Sequence, residues 1–265
     1  IAPDHLDRHG TMDSYTQAKL KLFAHQSPQD IAVLPSDPAQ WDPKGLAQLN
    51  AHQVRFGGPD GELSEREGYL WWREGTATPQ PLLQSGQLSL RGRHNLANAM
   101  AAAAVCLARG LDIDAVRHGL CTFPGVPHRL EEIAQRGGVM YVNDSKATNV
   151  ASTLVALDAL PGTGIHLILG GQAKGQDFAA LREPISKRCE AVYLIGQDAQ
   201  AIASALEGIE VPVCECGELE RALASARQSA GAGAVVLLSP ACASFDQFAD
   251  FEARGECFRE LVLAF

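Results

Sequence analysis

No apolar run in this sequence is long enough to cross a membrane, so an integral helical membrane protein is excluded. The opening residues, Ile1-Ala2-Pro3-Asp4-His5, lack the charged and apolar regions of a signal peptide. Positive charge is also in short supply. The net charge of −9 argues against a broad nucleic-acid surface. A local phosphate site survives that argument, because backbone N–H groups and a few cations suffice for one. Internal repeats and low-complexity segments are missing too, and Ala99–Ala104 is simply good helix. Finally, the cysteine count is seven, an odd number without a secretory signal, which points to reduced thiols in a cytoplasmic protein. Cys214 and Cys216 have no second Cys/His pair at zinc-like spacing. Two same-face side chains of one strand are therefore favoured over half a metal site.

What is present is ordinary globular composition: 265 residues, 46% hydrophobic and 20% charged, enough for one large domain or two smaller ones. Up to about Phe123 the pattern is mixed. Tyr15–Phe23 carries apolar residues at helical spacing, and Ile31–Leu34 is a strand candidate closed by Pro35. Gln53–Phe56 and Gly68–Trp72 read as a hairpin-like region around Gly-rich turns. Asn95–Arg109 is an Ala-rich helix stopped by Gly110, and Asp112 is the N-cap candidate of a second helix reaching Leu120. The run Phe123-Pro124-Gly125-Val126-Pro127 breaks every periodicity and marks a boundary, giving domains 1–123 and 124–265.

Beyond the boundary, strand, loop and helix repeat. Strands are expected at Val139–Val142, Ile165–Leu169, Ala191–Ile195, Val211–Cys214 and Ala234–Leu238. Helices are expected at Ala151–Leu160, Phe178–Lys187, Ala199–Leu206, Leu219–Ser229 and Phe248–Leu263. Alternating β and α with continuously apolar strands predicts an α/β fold with a mostly parallel sheet. Ligands bind such sheets at the carboxyl ends of strands.

Three polar stretches fall at those ends: Asn143-Asp144-Ser145-Lys146-Ala147-Thr148-Asn149, Gly170-Gly171-Gln172-Ala173-Lys174, and Ser239-Pro240-Ala241-Cys242-Ala243-Ser244. Lys146 and Lys174 supply cations, and Thr148, Ser239 and Ser244 supply hydroxyls. Helix N-termini after Asn149 and after Ser244 would add N–H donors, so the set reads as an anion site. Asp144 among these groups can hold a ribose or a metal, or pair with lysine. Gly170-Gly171 has the wrong spacing for a dinucleotide fingerprint. Cys242 reads as a small buried thiol rather than a nucleophile, since no His is assigned to it. Upstream, His5 stands in the His/Asp-dense run DHLDRHG, as a solvated loop or a ligand. Asn95 and Asn98 offer paired donors and acceptors to something planar, although Asn95 would also cap its helix well.

These stretches, together with FPGVPHRLE at the boundary and GRHNLANAMAAAAV before it, resemble the Mur ligases, within them the type that adds D-glutamate. The resemblance runs from His5 onward. It implies the remainder of a central ATP-binding domain followed by a Rossmann-like domain that receives the incoming amino acid. It implies that the family's UDP-binding domain and GTNGKST-type P-loop precede this stretch, and that the chain alone would be inactive. The reaction implied uses ATP and Mg²⁺. The carboxylate of UDP-N-acetylmuramoyl-L-alanine becomes an acyl phosphate, and the amine of D-glutamate displaces phosphate, in peptidoglycan precursor synthesis. A monomeric cytoplasmic enzyme is expected, without nucleic-acid partners or membrane insertion.

By resemblance, His5 is a Mg²⁺ ligand and Lys19 is a carbamylated lysine that presents oxygen to the metal. Asn95 and Asn98 match nucleotide contacts on the adenine side. Arg129 matches an arginine reaching the phosphates, Asp144 the acid holding the ribose, and Lys146 the lysine beside it. Thr148, Lys174, Ser244 and Phe251 match the D-glutamate pocket. Nucleotide would then lie between domains, with Gly125 as hinge, and closure would exclude water. The alternatives are a Mur or folylpolyglutamate-type ligase for another amino acid, and a non-catalytic fragment that binds D-glutamate or nucleotide.

Overall fold

The computed structural model describes residues 6–37, 49–90, 92–160, 162, 164–173 and 175–265. The chain divides into two compact units, Ile1–Pro124 and Gly125–Phe265.

The first unit opens with a helical turn α1 (Leu6–His9) and α2 (Met12–Leu20), which tightens into a 3₁₀ turn over Lys21–Phe23. Thr11 Oγ1 caps α2 by accepting from Ser14 N at 3.2 Å. A five-stranded sheet follows in the order β1 (Ile31–Pro35), β2 (His52–Phe56), β3 (Leu63–Arg66), β4 (Tyr69–Trp72), β5 (Gln80–Gln84). The hairpin expected between Gln53–Phe56 and Gly68–Trp72 is not formed. β2 pairs in parallel with β1, and the hairpin is β3–β4, turning at Glu67 and Gly68 with φ of 51° and 78°. The polar strands β3 and β5 carry no period-2 signal, since each buries only two consecutive residues, Leu63-Ser64 and Leu82-Leu83. Helices α3 (Arg93–Ala108) and α4 (Ile113–Thr122) complete the unit. Asp112 caps α4 by accepting from Ala115 N at 3.0 Å. Asn95 does not cap α3, because the helix already begins at Arg93 with Gly92 in the cap position.

The second unit is α/β. Its six-stranded sheet runs in the order β10-β9-β8-β11-β7-β6, with β6 (Glu131–Arg136), β7 (Val139–Asn143), β8 (Ile165–Gly170), β9 (Cys189–Ile195), β10 (Val213–Gly217) and β11 (Val235–Leu238). All neighbouring pairs are parallel except the edge pair β6–β7. β6 is polar and half-exposed, which is why its sequence gave no strand signal. β8 and β11 are buried at every position, as expected of strands covered on both faces. One covering layer holds α5 (Val150–Ala159), α6 (Arg182–Arg188) and α7 (Ala199–Ala205); the other holds α8 (Leu219–Ser229) and α9 (Phe251–Leu263). β10 starts at Val213 rather than Val211, since Pro212 lacks the N–H a ladder needs. α9 starts at Phe251 rather than Phe248, because Asp250 accepts from Ala253 N at 2.7 Å and fixes the helix start there.

The strand order creates the site. From β7 the chain passes to β8, leaving a gap, continues outward to β9 and β10, and returns to fill the gap with β11. The carboxyl ends of β7, β11 and β8 therefore lie side by side.

Candidate active site

The register places Leu238 against both Asn143 and Ile168. The next residue on β11 is Ser239, and it meets the end of β7. Its Oγ donates to Asp144 Oδ2 at 2.8 Å and has Thr153 Oγ1 at 3.2 Å. Asp144 N donates to Leu238 O at 2.7 Å, and Asp144 Oδ1 accepts from Leu130 N at 3.1 Å. Asp144 is 5% exposed. Burial pushes its carboxyl up to about 7, against the opposing pull of Ser239, the Leu130 N–H and the charge of Arg129. Arg129 itself is exposed. The structure thus brings Arg129 and Asp144 together.

β8 is joined to β11 by backbone bonds. Gly170 N donates to Pro240 O at 2.8 Å, and Gln172 and Ala243 exchange bonds of 2.9 and 3.0 Å. Gly170 and Gly171 have φ of 126° and 134°. A Cβ on Gly170 would overlap the Ile195 carbonyl, and one on Gly171 the Ala243 carbonyl. The glycine pair is there for close backbone approach, not for dinucleotide binding. Gln176 ties all three segments: its Oε1 accepts from Val150 N at 2.8 Å and its Nε2 donates to Ala241 O. Ala241 holds a left-handed φ of 58°.

The loop after β7 is held from below. Ser145 N donates to Asn143 Oδ1 at 3.1 Å, and Ser145 Oγ donates to Phe251 O at 2.8 Å. Lys146 Nζ lies 4.2 Å from the Phe251 ring centroid, a cation–π contact. The structure therefore also brings Lys146 and Phe251 together. Buried His128 packs edge-on to Phe251 at 6.2 Å, and its Nδ1 lies 3.0 Å from Asn143 Nδ2. A Cβ on Gly255 would overlap the His128 ring, so glycine is required there. Thr148 is half-buried and donates its N–H to Lys146 O at 2.9 Å.

Ser244 is buried, and its carbonyl accepts from Gln247 N and Phe248 N. This is a turn, so the helix N-terminus expected directly after Ser244 is absent. The expected one after Asn149 is present: Asn149 Oδ1 accepts from Ser152 N at 2.8 Å at the start of α5. Cys242 is fully buried, and burial raises its thiol to about 12, which removes it as a nucleophile. Cys214 and Cys216 lie on β10, and among the described residues no cluster of three or more His, Cys, Asp or Glu side chains has metal-binding geometry.

The remaining candidates belong to the first unit. Lys19 is exposed in the last turn of α2, with Nζ 5.3 Å from the Tyr15 ring centroid. That amine is open to carbon dioxide, as a carbamate requires. Asn95 and Asn98 are one turn apart on α3 and so share a face. His5 and Lys174 lie outside the described residues.

Three residues escaped the sequence reading. His128 and Gln176 carried no signal, since their partners are brought near only by the fold. Arg254 did carry one: with Phe258 and Val262 it recurs at every fourth position along α9, and all three are buried. An arginine on the apolar stripe of a helix is a departure that the pattern could have exposed.

Comparison with known proteins agrees with this architecture. The family model described as the Mur ligase middle domain matches residues 1–106, and that described as Mur ligase, glutamate ligase domain matches residues 128–242. The chain is 43% identical to the UDP-N-acetylmuramoylalanine--D-glutamate ligase of Anaeromyxobacter dehalogenans, over 99% of this chain and 59% of that protein. It is 42% identical to the enzyme of the same name from Acidobacterium capsulatum, over 100% of this chain and 58% of the relative. The chain therefore spans under two thirds of the length of these relatives. Among solved structures, MurF from Acinetobacter baumannii matches with a TM-score of 0.70 at 21% identity, covering 98% of this chain and 58% of that one. MurF from Thermotoga maritima, solved in complex with ADP, matches with a TM-score of 0.67 at 18% identity, covering 98% and 60%. At these identities the structural likeness speaks for the fold alone.

Proposed function

The chain belongs to the Mur ligase family, and from that premise we propose that it carries the nucleotide- and amino-acid-binding parts of an ATP-dependent ligase that joins D-glutamate to UDP-N-acetylmuramoyl-L-alanine. The observation that carries the site is the Ser239–Asp144 hydrogen bond, which locks the loop ends of β11 and β7 into one surface. The name shared by relatives about 40% identical supports the choice of amino acid.

In this reading Asp144 receives the ribose hydroxyls and Arg129 faces the phosphates, with Asn95 and Asn98 as the adenine contacts. Lys146, the lysine beside Asp144, is a catalytic cation, with its Nζ over the Phe251 ring. Thr148, Lys174, Ser244 and Phe251 form the amino-acid pocket: Lys174 offers charge to a carboxylate, and Thr148 and Ser244 offer donors. The reaction balances simply. A substrate carboxylate oxygen takes the terminal phosphoryl group of ATP and ADP leaves. The neutral amine of D-glutamate then attacks the acyl carbon, the C–O bond to phosphate breaks, and an amide, phosphate and a proton result. A free carboxylate is a poor acylating group, and the phosphate supplies the leaving group. Cations fixed near the phosphoryl oxygens stabilise the charge that develops there. Magnesium, held by His5 and the carbamate of Lys19, would neutralise part of that charge. We propose a monomeric cytoplasmic enzyme of peptidoglycan precursor synthesis that binds no nucleic acid. No helix among the described residues is long and apolar enough to cross a membrane.

The test is product mass and kinetics on the full-length enzyme. Supplied with UDP-N-acetylmuramoyl-L-alanine, ATP and a panel of D-glutamate, L-glutamate and diaminopimelate, it should form product with D-glutamate. Lys174→Ala should raise the KM for D-glutamate about tenfold and leave that for ATP within about twofold. Preference for another amino acid would overturn the reading.

A further inference from the structure

Arg254 is 1% exposed, in the first turn of α9. Its Nε donates to Ser145 Oγ at 2.9 Å, and its Nη2 donates to Ser145 O at 2.8 Å and Cys242 O at 3.1 Å. Its Nη1 is buried with no hydrogen-bond partner among the described residues, and lies 3.3 Å from where a Cβ on Gly171 would stand. One guanidinium thus touches all three strand-end loops. Ser145 immediately precedes Lys146, Cys242 is on the loop that carries Ser244, and Gly171 is on the loop that carries Lys174.

Stability alone does not select a cation at this position. Burying a guanidinium carries a large desolvation penalty, and a carboxylate partner is the usual compensation. Among the described residues none lies within ion-pair distance of Arg254, and its hydrogen bonds go to carbonyls and a hydroxyl. Asp246 acts on it only at a distance, and its own Oδ2 is engaged by Gln197 N at 2.8 Å. The first turn of a helix is also where the backbone dipole disfavours positive charge. Burial pulls the guanidinium down to about 10, so it stays protonated at neutral pH.

Resting on the ligase reading above, we propose that Arg254 is a positioning residue for the amino-acid substrate, its fork fixing the three loops and its un-neutralised charge favouring an anionic amino acid. The two parts separate experimentally. Lysine keeps the charge and loses the fork; methionine loses both and keeps the stem.

The experiment measures kcat and KM for D-glutamate and for ATP on the full-length enzyme as wild type, Arg254→Lys and Arg254→Met, with thermal midpoints. Arg254→Met should raise the D-glutamate KM about tenfold or more and leave the ATP KM within about twofold. Arg254→Lys should bring the D-glutamate KM back to within about threefold of wild type, with kcat still reduced. Equal effects of the two variants, or parallel rises for both substrates, would mean a packing role only and overturn the proposal. If Arg254→Met does not fold, the wild type decides: the slowly exchanging Arg254 Nε–H resonance, identified by its loss in Arg254→Lys, should shift on adding D-glutamate. No shift would overturn the proposal. The ligase reading is judged separately, by product mass from the wild type. If that product contains another amino acid, the same variants and the same resonance are read with it.

Discussion

The candidate residues of the two units are held in opposite ways. In the second unit they are held by one another's loops. Asp144 leans on Ser239, Ser145 on Phe251 and Arg254, and Ala241 on Gln176. In the first unit Lys19, Asn95 and Asn98 ride on helices held by their own backbone bonds, α2 capped by Thr11 and α3 an Ala-rich helix that starts after Gly92 without a side-chain cap. A helix presents a side chain through local hydrogen bonds, whereas a strand-end loop has no ladder of its own and needs partners from elsewhere. The difference teaches that changes in the second unit's site should be felt in stability as well as chemistry, and changes in the first unit's candidates in chemistry alone.

The most damaging test of that contrast is Gly170→Ala. The added methyl would meet the Ile195 carbonyl at a φ of 126°, and neither can move without breaking the β8–β9 ladder. A loss on the order of 4 kcal/mol is expected, read as a thermal midpoint lower by about 10 °C. A drop under about 2 °C would show that the loops are less tightly interlocked than described.

Next in size is Asp144→Asn. The carboxyl titrates near 7 in the folded protein and at 3.8 otherwise, so the fold favours its neutral form. That contribution is fully present below pH 4 and is lost as pH rises through 7. Between pH 5 and 8 the wild type should lose on the order of 2–3 kcal/mol relative to Asp144→Asn, while nucleotide binding weakens in the variant. Parallel stability curves across that range would place the carboxyl in a wetter setting than its burial implies.

The smallest effect on stability belongs to Lys19→Ala, an exposed position on α2. Denaturant midpoints should agree with wild type to within about 0.5 kcal/mol. Activity of the full-length enzyme should fall and return partly with short-chain carboxylic acids, which can stand in for a carbamate. A folded, inactive variant without such rescue would remove the metal role.

The α/β class and the strands β7, β8, β9 and β11 were legible because continuous apolar runs between turn signals leave few other readings. The three polar strand ends followed, since topology delivers carboxyl ends to one edge. Polar elements were not legible. Glu131–Arg136 pairs at an exposed edge, and Leu63–Arg66 and Gln80–Gln84 each bury only two consecutive residues, without the alternation that marks a strand. His128, Gln176 and Arg254 were missed for a related cause: each acts through residues far away in sequence, Arg254 reaching Ser145 across 109 positions. Spacing rules see neighbours within a helix or strand, and a contact of that span exists only after the sheet has closed. The Gly170-Gly171 pair shows the converse, where a sequence feature was visible and its cause, two carbonyls in the way, was not.

One of the two central strands of the second sheet, β11, is also its last in sequence. On the ribosome, β7 and β8 emerge long before β11, and the slot between them stays open while β9 and β10 are made. The three loops cannot meet until β11 leaves the exit tunnel, so a nascent chain lacks the surface that their contact creates. Until then two apolar strand edges face a vacant position, which is the moment at which this unit most needs shielding from premature pairing.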